Sequence, residues 1–223
     1  MPTKNDLTSQ VEKKCKSFGL DIIGFADPVD FQEFKDYPKR NNPEHFLKSV
    51  QTVIVVGIHL KDLILDTWYQ SSEGNYHFAD MIIETKCYKL QNFLIEKGYE
   101  TRLTPYSPGL FLKDSAALAG IGPIGKNNLL ISEHYGSQIR LRALVTNAPL
   151  NCGNPITKSN YCEDCNLCVE ACPADALNGG DYDRMACETY QLNNLRNMSN
   201  YSSIWCNRCI EACPIGPEGN KKC

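Results

Sequence analysis

The chain has 223 residues, 42% of them apolar, and 23 Lys and Arg against 26 Asp and Glu give a formal charge of −3. That is enough apolar material for a packed core and no strongly basic footprint for nucleic acid. The longest apolar run, residues 53–58, is far too short to cross a bilayer, and the opening MPTKNDLTSQVEKK has no signal-peptide run, so the twelve cysteines suit metal binding in a cytoplasmic protein better than a secreted disulfide framework.

Leu7, Val11, Cys15 and Phe18 recur at helical spacing and predict a helix stopped at Gly19. Residues 21–25 read as a short strand. Residues 27–48 carry Pro28, Pro38 and Pro43 among charges and suit a surface excursion. Residues 49–59 form the strongest strand signal, a β-branched run expected to be buried on both faces. A polar loop around 71–74 precedes a long helix marked by Phe78, Met81, Ile82, Leu90, Phe93 and Leu94 and ended near Gly98. Residues 113–119 read as helical, and 129–131 and 140–146 as strands. This alternation predicts an α/β or α+β domain over residues 1–150.

From residue 151 onward Cys, Asn, Pro and Gly dominate, which predicts a second, small domain over 151–223. Cys162, Cys165 and Cys168 are spaced by two residues, and Cys172-Pro173 follows after three more, the bacterial-type [4Fe–4S] run. Cys206, Cys209 and Cys213-Pro214 repeat the pattern one ligand short, with the same Glu-Ala-Cys-Pro ending, so duplication is expected. In two-cluster ferredoxins the fourth cysteine serves the other cluster. One cluster is therefore assigned Cys162, Cys165, Cys168 and Cys213. The other takes Cys172, Cys206, Cys209 and, as the missing ligand, Cys187. Structural zinc is the alternative for such cysteine pairs. Cys15, Cys87, Cys152 and Cys223 read as bystanders.

Gly120-Ile-Gly122-Pro-Ile-Gly125-Lys126 imitates two nucleotide motifs and satisfies neither. The dinucleotide fingerprint needs a strand before it and an acid about twenty residues after it. A Walker loop needs Ser or Thr where Asn127 stands. What remains is a glycine-rich turn that permits close backbone approach.

The stretch from Asp114 through Gly120, Gly125, Lys126 and Asn127 to Ile131 resembles the central signature of epoxyqueuosine reductases, which are related to reductive dehalogenases. The resemblance continues through Gly136-Ser137 and 141–146 into the cysteine block. It implies a nitroreductase-like α/β domain holding cobalamin and a ferredoxin-like domain passing electrons through two [4Fe–4S] clusters to cobalt. It places Asp114, Ser115, Gly122, Gly125, Lys126, Asn127, Asn128, Gly136 and Ser137 around the corrinoid. The chain resembles a short form without the family's C-terminal repeat region. The family's acid before a Tyr-His pair is here Asn75, which cannot give a proton; Tyr76 becomes the candidate catalytic donor. His45, His59, His77 and His134 read as ordinary polar or core residues.

Residues 162–223 hold nine acidic and five basic side chains, which argues against tRNA as a partner. The expected function is thus an oxygen-sensitive iron–sulfur oxidoreductase that passes electrons to a corrinoid and reduces an unknown substrate. A ferredoxin or flavodoxin would be its low-potential electron donor, and a small molecule or protein-bound corrinoid its substrate. The alternatives are an electron-transfer or reductive-activation protein for a partner corrinoid enzyme, and an epoxyqueuosine-tRNA reductase acting with another subunit.

Overall fold

Leu7, Val11 and Cys15 are fully buried and form the inner face of helix α1 (Lys4–Ser17). Thr3 Oγ1 accepts the Asp6 N–H at its start. At its end Gly19 turns with φ +73°, so that its own N–H reaches Lys16 O at 2.9 Å and the Leu20 N–H reaches Cys15 O at 3.0 Å. The Lys86 ammonium bonds Phe18 O and Gly19 O at 2.7 Å each, placing a cation where the helix dipole is negative. The structure is a computed structural model that describes residues 3–34, 42–178 and 181–216.

Strand β1 (Ile22–Ala26) pairs antiparallel with β2 (Thr52–His59), Ile22 opposite Gly57 and Ala26 opposite Val53. Between them the chain makes short 3-10 turns at Pro28–Phe34 and Pro43–His45, and Phe31 and Leu47 anchor the excursion in the core. The run Val53, Ile54, Val55 and Val56 is wholly buried, which is why β2 shows no alternation. A hairpin follows, β3 (Thr67–Ser71) and β4 (Gly74–His77), and the polar loop expected at 71–74 is its turn. Helix α2 (Phe78–Glu96) then buries Ile83, Cys87, Leu90 and Leu94 along one stripe. Strand β5 (Thr101–Leu103), helix α3 (Leu112–Leu118) and strand β6 (Ile139–Thr146) complete this part, and one sheet runs in the order β1-β2-β6-β5. The strand expected at 129–131 is replaced by an isolated bridge, Ile124 to Leu130. The turn before it, where the Gly125 N–H reaches Leu129 O and the Asn128 N–H reaches Gly125 O at 2.9 Å each, is too tight to leave a paired ladder.

Beyond residue 151 the elements are short: α4 (Leu167–Glu170), β7 (Leu177–Asn178), β8 (Asp181–Tyr182), α5 (Arg184–Asn193), β9 (Arg196–Asn197), β10 (Ser202–Ile204) and α6 (Arg208–Glu211). A second sheet has the order β4-β3-β10-β9, with Ser203 opposite Trp68 and Ile204 opposite Thr67. Residues far apart in sequence therefore share one unit. The first compact unit takes the stretch up to His59, Ile82–Gly122 and Arg140–Thr157; the second takes Leu60–Met81, Pro123–Ile139 and the stretch from Lys158 onward. A single cut at residue 150, drawn from the change in composition, gives way to this discontinuous division. Among the described residues no helix is long and apolar enough to cross a membrane.

Candidate metal centres

The two cysteine runs fold alike. In each, an Asn with φ near −125° opens a four-residue helix, Asn166 at φ −127° before α4 and Asn207 at φ −123° before α6. The Glu170 N–H reaches Asn166 O at 2.9 Å and the Ala171 N–H reaches Leu167 O at 3.0 Å; Glu211 to Asn207 O and Ala212 to Arg208 O repeat both lengths. Cys172 and Cys213 then turn back on Val169 O and Ile210 O at 3.1 Å. The shared Glu-Ala-Cys-Pro ending is thus the sequence trace of a repeated local structure, and α4 packs on α6.

Two hollows lie beside this pair, both inside the second unit. Cys162, Cys165, Cys168 and Cys213 line one, together with Lys126, Asn127 and Ile131. Cys172, Cys187, Cys206 and Cys209 line the other, with Asn127, Tyr182, Tyr190 and Gln191. The first is a narrow space of about 20 Å³ and the second a wider one of about 200 Å³. These are the two sets of four obtained from spacing, including the crossed fourth ligand and the place of Cys187.

Burial and neighbouring sulfurs favour the neutral thiol at three of these cysteines. Burial pushes the Cys209 thiol up to about 12, and the neighbouring Cys206, Cys187, Cys168 and Cys172 add to the rise. Cys168 is raised first by burial and then by Cys162 and Cys213. Burial also raises Cys213, against which the Ile215 amide acts. A positively charged metal group held among these sulfurs would favour their thiolate forms. Donors toward sulfur are already present: Ala176 N–H to Cys172 at 3.3 Å and Gln191 Nε2 to Cys187 at 3.2 Å. Hydrogen bonds of this kind hold and tune cluster ligands. The residues fit [4Fe–4S] groups. Among the described residues no three His, Cys, Asp or Glu side chains close on a single ion, whereas a cubane spreads its ligands around a larger core.

The glycine-rich turn packs against the first cysteine run. Lys126 Nζ donates to Cys165 O at 3.0 Å, Asn166 Oδ1 at 3.0 Å and Glu163 O at 3.3 Å, on the loop that carries the first run. Asn127 is buried and lines both hollows; its Nδ2 donates to Ser137 Oγ at 3.1 Å and its Oδ1 accepts the Leu129 N–H at 3.2 Å. Asn128 holds φ +59°. A Cβ on Gly125 would meet Ile131 Cδ1 at 2.4 Å. Gly136, at φ +55°, lies under the segment after Cys213, where a Cβ would fall 1.9 Å from Ile215 O. Asp114, Ser115 and Gly122 belong to the first unit. Ser115 is buried and its hydroxyl donates to Phe111 O at 2.8 Å.

Tyr76 stands on β4 opposite Tyr69 and is 41% exposed, and Asn75 stands opposite Gln70. His77 is buried, its Nε2 3.3 Å from Asp66 Oδ1 and its ring edge-on to Trp68 at 5.0 Å. Trp68 in turn stacks on Trp205 at 5.0 Å and 21°, beside Cys206. Spacing alone did not find Tyr190 and Gln191, although both stand three and four residues after Cys187, on the same helical face. The tryptophan pair left no trace in sequence, because β3 and β10 meet only in the fold.

A 4Fe-4S binding domain family matches residues 156–178. Over 214 residues the chain is 29% identical to an epoxyqueuosine reductase of Bacillus anthracis, covering 81% of this chain and 55% of that protein. It is 32% identical over 208 residues to one of Cyclobacterium marinum, covering 79% and 66%. The chain spans about half the length of most of the curated relatives it matches. Among solved structures it superposes on an epoxyqueuosine reductase with a tRNA-Tyr epoxyqueuosine-modified tRNA stem loop at TM-score 0.73 and 22% identity, covering 97% of this chain and 67% of that one. A catabolic reductive dehalogenase in complex with 3-bromo-4-hydroxybenzoic acid gives TM-score 0.71 and 16% identity, with 97% and 33% covered. Both share its mixed α/β fold. These findings overturn the expectation that tRNA is a poor partner. Net charge over 162–223 was the wrong measure, since a sum does not say where individual cations face.

Proposed function

We propose that this chain, a homologue of the epoxyqueuosine reductases, is an iron–sulfur reductase acting on epoxyqueuosine carried by tRNA. The observation that carries the reading is the pair of four-cysteine hollows, on a chain whose likeness to those reductases runs through most of its length. When bound, [4Fe–4S] clusters supply one-electron transfer. Reduction of an epoxide takes two electrons and two protons, so two one-electron centres match the demand. The cluster count of two and the nitroreductase-like character of the first unit are part of this proposal.

The chain's own residues do the holding. Cys162, Cys165, Cys168 and Cys213 bind one group, and Cys172, Cys187, Cys206 and Cys209 the other. Asn127 fixes the wall that both hollows share. Tyr76, half exposed on β4, is the proton donor in place of the acid that Asn75 replaces. The corrinoid implied by the sequence resemblance fits less well. Ser115, Lys126, Asn127 and Ser137 spend their polar atoms on protein partners, and Gly136 is filled against Ile215.

The test is anaerobic turnover. Reconstituted chain, a chemical reductant and tRNA bearing epoxyqueuosine should yield queuosine, measured by mass spectrometry of the nucleosides, with and without added cobalamin. Reducible clusters with no conversion under either condition would overturn the reading.

A further inference from the structure

Lys126 has a role that neither its motif nor its neighbours in sequence announce. Its ammonium is held by three acceptors of one loop, Glu163 O, Cys165 O and Asn166 Oδ1, at 3.3, 3.0 and 3.0 Å. The side chain is half-buried and lines the hollow of Cys162, Cys165, Cys168 and Cys213. A cation set this way does two things. It bonds the carbonyl of a ligand residue and so fixes the loop, and it places a positive charge beside a group that becomes more negative on reduction. The second cysteine run has the same backbone, but among the described residues Asn207, the counterpart of Asn166, receives no ammonium. The two halves match in fold but differ in how a cation is set: Arg196 and Arg208 line a hollow with Cys206 and Asn207 in the second, and no ammonium bonds its loop carbonyls among the described residues.

We propose that Lys126 sets the reduction potential of the cluster held by Cys162, Cys165, Cys168 and Cys213, raising it relative to the same cluster without the ammonium and leaving the second cluster unaffected. The inference rests on the two-cluster reading above. Net charge and hydrogen bonding near a cluster are the protein's means of tuning it. An adjacent unit charge in a partly buried setting shifts a redox equilibrium by about tenfold, which for one electron is about 59 mV. Lys126 is a positioning residue here: it acts through the loop and through its field and touches no substrate.

The experiment is anaerobic redox titration of the reconstituted full chain, followed by electron paramagnetic resonance so that the two clusters are read separately, with iron counted in each sample. Lys126→Arg keeps the charge, Lys126→Gln keeps a donor without charge, and Lys126→Met keeps neither. The expected result is one midpoint lowered by about tenfold in equilibrium constant in the Gln and Met variants, near wild type in the Arg variant, with the other midpoint unmoved. Equal midpoints in all four proteins, a parallel shift of both clusters, or a Gln variant indistinguishable from wild type would each overturn it. So would loss of iron in the neutral variants, which would make Lys126 a folding latch. Failure of the underlying reading shows itself elsewhere, as wild-type protein that holds about four irons instead of about eight.

Discussion

The two units are stabilised by different means. The first keeps Leu7, Val11, Ile54, Val55, Ile83, Leu90 and Leu144 wholly out of water, a core that apolar burial alone can support. In the second, the buried hydrophobic residues are few and scattered, Ala79, Leu130, Ile131, Ala176, Leu177 and Ile204, and the cysteines stand half-exposed between them. A region with so little to bury would gain folding energy from a bound metal group, because ligation energy becomes folding energy where the apo site is not preformed. A count of apolar residues over the whole chain conceals this contrast.

The sharpest way to break the comparison is to withhold iron. Hydrogen exchange on protein made without iron should show free exchange for amides of α4, α5 and α6, while β2 and β6 stay protected; uniform protection would mean that the second unit folds without metal. Next in size is a cavity on the other side of the comparison. Ile54→Ala should cost the first unit about 3 kcal/mol in denaturant unfolding, with the iron content of the native protein unchanged. Cys187→Ser should lower iron from about eight to about four per chain, and retention of about eight would remove Cys187 from the ligand set. Gly136→Ala forces a Cβ onto Ile215 O and should displace the segment after Cys213, seen as partial loss of iron with no change in exchange at β2. The smallest effect belongs to the surface pair Arg184–Glu188, at 2.6 Å and exposed on α5. Glu188→Gln should leave both thermal unfolding and iron content as they are.

Several elements of the fold are legible in the residues. α1, β2 and α2 announced themselves because a buried stripe or a buried strand imposes a period or a continuous apolar run. The cysteine spacing predicts two sets of four, because loop geometry around a cluster limits how many residues separate its ligands, and each set lines one hollow. Other elements were hidden. β3 and β4 are half-exposed and only five and four residues long, too short for alternation to register, and β10, the other partner of β3, lies more than 130 residues away along the chain. The discontinuous second unit follows from that pairing and could not be read locally. The glycine-rich run forms a tight turn, as its residues predict. Which way Lys126 reaches depends on a tertiary neighbour, and no local pattern encodes it.

The stack of Trp68 on Trp205 has a practical consequence. The chain has two tryptophans, and both lie in this one contact, with Trp205 joined directly to Cys206. Its ultraviolet emission is therefore a report from one address. An iron–sulfur group beside Cys206 would darken it, so the fluorescence of the unlabelled protein would serve as a clock for assembly and oxidative loss of that single cluster.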